Sequence, residues 1–323
     1  MQIAYLVITH TDPEFIRRLA EKVTRCTTNH VFVHVDGKIA IDGFERALAG
    51  LSNVHLLKER KTVYWGGYAS IEATILLLSA AAGAGKFDRY VLLQGLDYPI
   101  KNNTEIDEFF EAHADTEFIR AASETDSNSN KDKHKYILRY HMDSPSKLLA
   151  RWRRGINLLI LRYFPFGLPR PYVTIDRKRC EIYRGWAQFA LTHAAVEYLL
   201  DFHYAHPGYN NYFRHVYAAD ESYFHTIIYN SHFASKTVDG HPVAQKDKSI
   251  LSLLNLTYFE YPDVVRMFQQ AEEFEILEGS GYLYFRKASS KSTELLDHID
   301  ARHQLGSPGK KVDDSSEAAG VEE

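Results

Sequence analysis

Residues 3–15 read IAYLVITHTDPEF, and this stretch sets the pattern for the first half of the chain. The apolar run at residues 3–9 predicts a short buried strand. Asp12 and Pro13 then predict the start of a helix, because Asp caps a first turn and Pro suits its first position. Strand patterns recur at residues 31–35, 54–57, 90–93, 117–120 and 282–285, and helix patterns at residues 70–82 and 104–112. This alternation predicts an α/β fold with a mainly parallel central sheet flanked by helices.

Polar residues follow three of these strand patterns. His10 comes after the first strand, Asp36 after the second and Asp97 soon after the run at residues 90–93. In parallel α/β sheets, ligands bind beyond the carboxyl ends of the strands. We therefore expect a ligand site where these three residues meet. Thr104 is expected to cap the helix that follows Asp97.

The chain has 323 residues and a formal net charge of −4 at pH 7. Because the charge is negative, nucleic acid is not an expected partner. Tyr and Phe number 21 and 18, and their rings would either cover the apolar faces of a sugar or simply fill a core. The two cysteines, Cys26 and Cys180, are too few for a disulfide framework and are expected to be reduced thiols.

Two stretches interrupt the strand and helix pattern. Residues 123–135 are polar and charged, which predicts a mobile loop. Residues 147–170 mix arginines with Leu, Ile, Trp and Phe, so they predict either contact with a membrane surface or a helix packed on the protein with its arginines in solvent. Neither a signal peptide nor an apolar run of about 18 residues is apparent, and we expect a cytoplasmic protein.

Several motifs that indicate a particular reaction or ligand are absent from the sequence. It contains no phosphate-binding glycine loop, no serine nucleophile elbow, no His-Glu-x-x-His zinc pair and no Asp-x-Asp metal clamp. What remains is a set of short strings, each of which could by itself be a turn, a helix start or surface charge. They are HVD at residues 34–36, YWGGY at 64–68, LQGLDYPIK at 93–101, RGW at 184–186, ADESYFH at 219–225 and FRK at 285–287.

In this order and spacing the strings resemble the core-2/I-branching β-1,6-N-acetylglucosaminyltransferase family, which includes the peptide O-xylosyltransferases. The resemblance covers residues 1–287, rests chiefly on residues 93–101 and 220–230, and is to bacterial-type members. It implies a GT-A type glycosyltransferase fold, a UDP-sugar as donor substrate, and neither a metal nor another cofactor. One domain would span residues 1–305, with a nucleotide-sugar half at 1–122, a mobile, basic insertion at 123–172, an acceptor and catalytic half at 173–290, and a disordered tail at 306–323.

The resemblance also implies roles for particular residues. Glu221 would be the catalytic base, a contribution worth about 10²–10⁴ in rate. Lys287 with Arg286 would hold the diphosphate, since without a metal a cation must neutralise the leaving group. The residues implied to contact substrate are Asp36 (facing the uridine), Trp65, Asp97, Glu105 and Trp186.

The sequence departs from the family pattern at residues 256–261, where LTYFEY replaces a string that carries Arg and Trp in many bacterial relatives. This change leaves open which residues share the diphosphate with Lys287.

We therefore expect inverting transfer of a sugar from UDP to a hydroxyl of a glycan or lipid-linked sugar, in surface polysaccharide or glycoconjugate synthesis. N-acetylglucosamine and xylose are the first donors to test, followed by glucose and galactose. Residues 147–170 would bring the protein to the inner face of the membrane. Two alternatives stay open: a non-catalytic glycan- or UDP-binding protein of the same fold, and a glycoside hydrolase with Glu221 and Asp97 as its carboxylate pair.

Overall fold

The structure is a computed structural model that describes residues 1–144, 152, 155–157, 159, 168–249, 251–261 and 263–305. Most of the basic stretch at residues 147–170, and all of the expected tail at residues 306–323, lie outside the described residues. Within the described part of the chain, no helix combines the length and the apolar character needed to cross a bilayer.

Strands and short helices alternate along the chain. The strands are β1 (Ile3–Thr9), β2 (His30–Val35), β3 (Val54–Leu56), β4 (Arg89–Gln94), β5 (Asp97–Pro99), β6 (Ala121–Ser123), β7 (Val173–Ile175), β8 (Lys178–Cys180), β9 (Tyr183–Gly185), β10 (Ala190–Leu191), β11 (Thr257–Phe259) and β12 (Tyr284–Arg286). The helices are α1 (Pro13–Thr24), α2 (Asp42–Leu48), α3 (Ala69–Ala84), α4 (Asn103–Ala112), α5 (Asn130–Ile137), α6 (His193–Ala205), α7 (Pro207–Phe213), α8 (Tyr223–Tyr229), α9 (Glu273–Gly279) and α10 (Thr293–Leu305).

The central sheet has five strands in the order β10-β4-β1-β2-β3. Strands β4, β1, β2 and β3 run parallel, and only β10 at one edge is antiparallel to its neighbour. Ile8 near the end of β1 is in register with His34 of β2 and Gln94 of β4. The carboxyl ends of the three strands therefore meet at one edge, and the predicted α/β fold with a mainly parallel sheet is confirmed.

Helices cover both faces of this sheet, because successive side chains of a strand point to opposite faces. Tyr5 and Val7 of β1 belong to a core cluster that includes buried residues of α1, α2 and α10. Ala4 and Leu6 belong to a second cluster with residues of α3, α6 and α8. Strands buried on both faces read as continuous apolar runs, which is why β1 could be found from sequence alone.

Two smaller sheets bring later parts of the chain to the carboxyl edge of the central sheet. Strand β12 lies between β11 and β5, so that Arg286 of β12 pairs with Asp97 of β5. Strand β9 pairs with β6 and sets Arg184 opposite Ala122. Residues that are nearly 190 positions apart in the chain thus become neighbours.

Three sequence-based expectations need correction. Helix α4 is capped by Asn102 and not by Thr104: the Asn102 side chain accepts from the Glu105 N–H, and the Glu105 carboxylate accepts from the Asn102 N–H, both at 2.9 Å. This reciprocal capping box satisfies two N–H groups at once. At residues 117–120 only isolated bridges form, at Glu117 and Phe118, and the strand β6 begins at Ala121.

Residues 123–135, expected to be a mobile loop, contain the last residue of β6 and much of helix α5. Their charged side chains find partners within the fold. The Lys248 ammonium lies 2.6 Å from a carboxylate oxygen of the completely buried Glu124 and 3.2 Å from one of Asp132. Such pairing across distant residues leaves no trace in local composition, which is why the stretch reads as a loop.

The first turn of helix α3 is capped by a residue that comes much later in the chain. The Asp143 carboxylate accepts hydrogen bonds from the N–H groups of Tyr68, at 2.7 Å, and of Ala69, at 3.2 Å. Gly67 makes this approach possible, because a Cβ there would lie 2.0 Å from an oxygen of Asp143. The loop before α3 is thereby tied to the segment that follows α5.

Candidate active site

A pocket of about 410 Å³ opens at the carboxyl ends of β1, β2 and β4. Thr9 and His10 from the end of β1, Asp36 from the end of β2 and Gln94 from the end of β4 line it. This is the edge at which the sequence predicted a ligand site. Later parts of the chain complete the wall with Tyr64, Trp65, Gln188, Asp220, Phe224 and Arg286.

Gly95 allows the ends of β1 and β4 to lie close together at the base of the pocket. A Cβ at this position would lie 2.3 Å from the Thr9 hydroxyl oxygen and 2.6 Å from its Cβ, far inside contact distance. The Gly95 N–H also donates to the Ile8 carbonyl at 2.8 Å. A side chain at residue 95 would therefore force the two strand ends apart.

Asp36 anchors one wall of the pocket and is almost completely buried, with 5% of its surface exposed. Its carboxylate accepts from the N–H groups of Lys38, at 2.9 Å, and Val63, at 3.3 Å, and pairs with the Lys38 ammonium at 3.0 Å. The same ammonium lies 4.4 Å from the centre of the Tyr64 ring. Asp36 thus fixes the loop that carries Tyr64 and Trp65, and brings the cation of Lys38 to the pocket.

Arg286 supplies a second cation to the pocket, and its partner is Asp97. The Arg286 guanidinium lies 3.1 Å from one carboxylate oxygen of Asp97, and the other oxygen accepts from the Gln94 N–H at 2.8 Å. Burial raises the pKa of Asp97, and Arg286 acts in the opposite direction. Asp97 does not line the pocket. It orients Arg286, which does.

Asp220 and Glu221 are adjacent in a short 3₁₀ turn but face different surroundings. Asp220 lines the pocket, and burial together with the neighbouring Glu221 raises its pKa to about 7. Glu221 does not line the pocket and forms an ion pair with Arg184. The two carboxylates therefore occupy the boundary between the pocket and a second polar region.

That second region is a cluster of charged side chains that are partly or, for Glu124, completely buried. We call it the charged cluster, and it consists of Glu124, Asp132, Lys135, Arg184, Glu221 and Lys248. Burial lowers the pKa of Lys135, and Arg184 contributes in the same direction. One oxygen of Glu124 is buried without a hydrogen-bond partner among the described residues. Closely spaced donors and acceptors of this kind suit the hydroxyl groups of a sugar.

The structure brings some of the predicted site residues together and separates others. Trp65 lines the pocket with 76% of its surface exposed. The Trp186 ring packs against Phe259 with ring centres 4.7 Å apart, and its chain neighbours Ala187 and Gln188, not Trp186 itself, line the pocket.

Lys287 and Glu105 also lie outside the pocket wall. The Lys287 main chain is held by Arg266 and Phe268, at 3.2 and 3.0 Å. Glu105 is exposed and serves the capping box of α4, with Lys101 3.7 Å from its carboxylate.

Several residues of the site are not predicted from the sequence, among them Asp220, Arg184, Lys38 and Gln188. Asp220 and Arg184 stand inside the strings quoted above, but adjacency alone cannot tell which of two carboxylates faces a pocket. Lys38 follows Asp36 by two positions, and Gln188 follows Trp186 by two. Neither spacing has a chemical meaning until the loops are placed.

Within the described residues, no three His, Cys, Asp or Glu side chains form a group that could hold a metal ion. Among the residues that line the pocket, Lys38 and Arg286 carry a positive charge.

Comparison with known proteins assigns the chain to a family. The model of the Core-2/I-Branching enzyme family matches residues 3–243, and no curated protein matches the chain. Among solved structures, the apo form of mouse xyloside xylosyltransferase 1 matches with 13% identity and a TM-score of 0.34, covering 75% of this chain and 85% of that one. The apo structure of the bifunctional glycosyltransferase WbbM matches with 9% identity and a TM-score of 0.36. That match covers 94% of this chain, which spans half the length of WbbM. Because the family model covers well over half of its length, the chain belongs to the Core-2/I-Branching enzyme family.

Proposed function

We propose that this chain is an inverting, metal-independent glycosyltransferase that moves a sugar from a UDP-sugar to a hydroxyl of a glycan or lipid-linked sugar. Membership of the branching-enzyme family supports the reaction class, and the mainly parallel α/β sheet agrees with a GT-A type fold. The observation that carries the proposal is the pocket at the strand ends, which has Asp36 on one wall, Arg286 on another, and the Asp220–Glu221 turn at its boundary.

The donor is proposed to occupy the pocket. Asp36 and the ring of Tyr64 would receive the uridine, and the pocket volume of about 410 Å³ suits a ligand of that size class. Arg286, with Lys38, would face the diphosphate, because guanidinium and ammonium groups form charge-assisted hydrogen bonds with phosphate oxygens. These cations would stabilise the negative charge that develops on the leaving UDP.

The acceptor is proposed to approach Glu221 from the side of the charged cluster. The Glu221 carboxylate takes the proton of the acceptor hydroxyl while that oxygen forms a bond to the anomeric carbon of the donor. At the same time the bond from the anomeric carbon to the UDP oxygen breaks, and UDP leaves with the electron pair. Attack on the face opposite the leaving group inverts the configuration at that carbon.

The geometry gives less support to a glycoside hydrolase with Glu221 and Asp97 as its pair. A hydrolytic acid must reach the leaving oxygen of the substrate, whereas Asp97 is completely buried and bound to Arg286. A non-catalytic UDP-binding protein would use the same pocket, so only turnover separates it from a transferase.

A UDP-release assay on the purified protein tests the proposal. The protein is incubated with the UDP-sugars of N-acetylglucosamine, xylose, glucose and galactose, each with a panel of glycan acceptors, in the presence and absence of EDTA. We expect release from one donor that EDTA does not affect, and a loss of about 10²–10⁴-fold in Glu221→Gln with unchanged UDP affinity. Glu181→Gln is the matched control, because Glu181 is a partly buried carboxylate bound to Ser123 and Tyr183.

Each other outcome decides a different part of the proposal. Release that EDTA abolishes would contradict the metal-independent mechanism. UDP binding without release from any donor and acceptor pair would favour the non-catalytic protein. Full activity in Glu221→Gln would exclude Glu221 as the base.

For the location, we propose peripheral contact with the inner face of the membrane through residues 147–170, on the basis of their basic and apolar composition. Flotation with vesicles rich in anionic lipid is expected to carry the protein at low salt. No flotation at low salt would contradict the contact.

A further inference from the structure

Arg184 is the direct partner of the proposed base. Its guanidinium contacts the Glu221 carboxylate, and the two side chains are about equally shielded, with 23% and 22% of their surfaces exposed. Burial by itself would lower the pKa of Arg184, and the Glu221 charge raises it above the ordinary value. Arg184 therefore stays a cation, and the pair is shielded enough from solvent for its geometry to persist.

Both partners are held by rigid surroundings. Arg184 lies in β9, and a Cβ on the next residue, Gly185, would lie 1.9 Å from the Arg120 carbonyl oxygen, so this strand packs closely on its neighbour. Glu221 ends a 3₁₀ turn, and the hydroxyl of the following Ser222 is hydrogen-bonded to Tyr136 at 2.7 Å. The orientation of the pair is thus set by the fold and not by two free side chains.

Other titratable groups surround the pair. Asp220 lies beside Glu221 in the turn, and Lys135 and Tyr136 of α5 interact with both Glu221 and Arg184. Further out, Lys248 pairs with Glu124 and Asp132, and His225 of α8 interacts with Arg184. Burial lowers the pKa of His225 to about 3, so this ring is neutral near pH 7. Arg184 is the cation in direct contact with Glu221 within the described residues.

We propose that Arg184 is a positioning residue for the base: its guanidinium contacts the Glu221 carboxylate and fixes its orientation. This inference rests on the proposed function. Without the guanidinium, the Glu221 carboxylate would lose the contact that orients it, together with a neighbouring positive charge of the kind that favours an ionised carboxylate. Because Arg184 does not line the donor pocket, its loss should act on kcat and on the pH profile and should leave donor binding unchanged.

The variants Arg184→Gln and Arg184→Lys separate positioning from simple structural support. We call the low-pH side of the plot of kcat against pH its acid limb. In Arg184→Gln we expect this limb to move to higher pH by about one unit, which lowers kcat about tenfold at a given pH on the limb. The KM for the donor and the affinity for UDP stay within about twofold. Arg184→Lys retains a cation and is expected to restore the position of the limb, although not the full rate, because an ammonium lacks the planar fork of Arg.

Arg120→Gln is the matched control. Arg120 forms an ion pair with Asp239 at 2.8 Å, is also 23% exposed, and does not touch Glu221. Its loss should lower thermal stability without moving the acid limb. An unchanged limb in Arg184→Gln, or an equal shift in Arg120→Gln, would overturn the proposal.

A second measurement does not depend on turnover. Carboxyl NMR on protein with ¹³C-labelled Glu follows the Glu221 carboxyl resonance at a fixed pH, assigned by its absence in Glu221→Gln. We expect this resonance to shift in Arg184→Gln and not in Arg120→Gln, whether or not any donor is used, because only Arg184 contacts the Glu221 carboxylate among the two arginines. Failure of the release assay with this shift present would reject the proposed function and keep the pairing, whereas an absent shift rejects the pairing.

Discussion

The guanidinium of Arg286 lies 3.1 Å from the carboxylate of Asp97, its cross-strand partner between β12 and β5. Asp97 has no exposed surface, while Arg286 lines the pocket. Arg286 therefore pairs with a buried carboxylate and also lines the pocket that is proposed to bind the donor. Stability and donor binding are expected to depend on the same side chain.

Replacing Arg286 by Gln should weaken UDP binding about tenfold or more, because a hydrogen bond to a charged group contributes about 1.5–3 kcal/mol. It should also lower the free energy of unfolding by about 1–3 kcal/mol, the cost of leaving a buried polar group without its partner. Calorimetric titration with UDP and denaturant unfolding measure the two effects. Arg266→Gln is the control, since Arg266 pairs with Glu260 and Glu273 and does not line the pocket; equal loss of affinity there would contradict the assignment.

Asp220 should make stability and donor binding depend on pH near neutrality. Burial and then Glu221 raise its pKa to about 7, so its protonated form favours the folded state. That contribution is complete below the ordinary carboxyl value of about 4 and is lost as the pH rises through about 7. UDP affinity should fall as the pH rises through about 7, because ionised Asp220 adds a negative charge to the pocket that is proposed to bind the diphosphate.

The variant Asp220→Asn tests this dependence. It should flatten both the unfolding temperature and the UDP affinity between pH 5 and about 9, and should be more stable than the unaltered protein at the alkaline end. Asp126→Asn serves as control, because Asp126 is half-exposed and pairs only with Arg170 among the described residues. A pH dependence that survives in Asp220→Asn would assign it to another group.

Trp65 is expected to matter for binding and not for folding. Its ring is 76% exposed, and its ring contact is with Tyr217, at 5.5 Å between centres. Trp65→Ala should change the free energy of unfolding by less than about 0.5 kcal/mol and raise the KM for substrate about two- to tenfold, the range of an aromatic contact. Steady-state kinetics decide this, with Tyr204→Ala as control, since Tyr204 is 68% exposed and lies outside the pocket wall.

Asp300 should stabilise the junction of helices α1 and α10. Its carboxylate pairs with Arg18 at 2.7 Å and Lys22 at 2.9 Å, and accepts from the Tyr98 hydroxyl at 2.9 Å. Burial alone would raise the pKa of Asp300, but Lys22 and Arg18 lower it below the ordinary value. The stabilisation is therefore present above about pH 4 and is lost as the pH falls through the lowered pKa.

Asp300→Asn should lower the free energy of unfolding by about 1–3 kcal/mol at neutral pH, with a smaller difference in acid. Denaturant unfolding at several pH values measures this. Asp297→Asn removes a neighbouring carboxylate that also contacts Arg18 but is 64% exposed, and should cost less than about 1 kcal/mol. If the two variants lose equal stability, burial of the Asp300 cluster is not the cause.

The sequence predicts those parts of this fold that depend on residues close together in the chain. The apolar run of β1, the Asp12–Pro13 helix start and the position of Asp36 after β2 all reflect short-range chemistry, and each agrees with the structure. The pocket at the strand ends follows from the parallel order of the sheet.

The remaining features depend on contacts between distant residues. Which of Asp220 and Glu221 faces the pocket is set by the turn and by Arg184, 37 residues earlier. The composition of residues 123–135 is typical of a loop, because it does not show that Glu124 and Asp132 pair with Lys248, more than a hundred positions away. The family resemblance implies a substrate contact for Glu105, whereas in the structure Glu105 closes the capping box of α4 with Asn102, whose spacing of three residues is typical of such a box.

The cap that Asp143 provides for α3 has a consequence for how the chain is made. Asp143 follows Ala69 by 74 residues, so at about 5–20 residues per second the ribosome adds it roughly 4–15 s later. Strands β1 to β3 precede Ala69, and β4 is added during that interval, while the first turn of α3 and the adjoining loop with Trp65 still lack the carboxylate that fixes them. The nascent chain can therefore assemble the four parallel strands of its sheet before this loop is fixed. A fragment that ends before residue 143 would carry those four strands without the cap and without the pocket residues that come later in the chain.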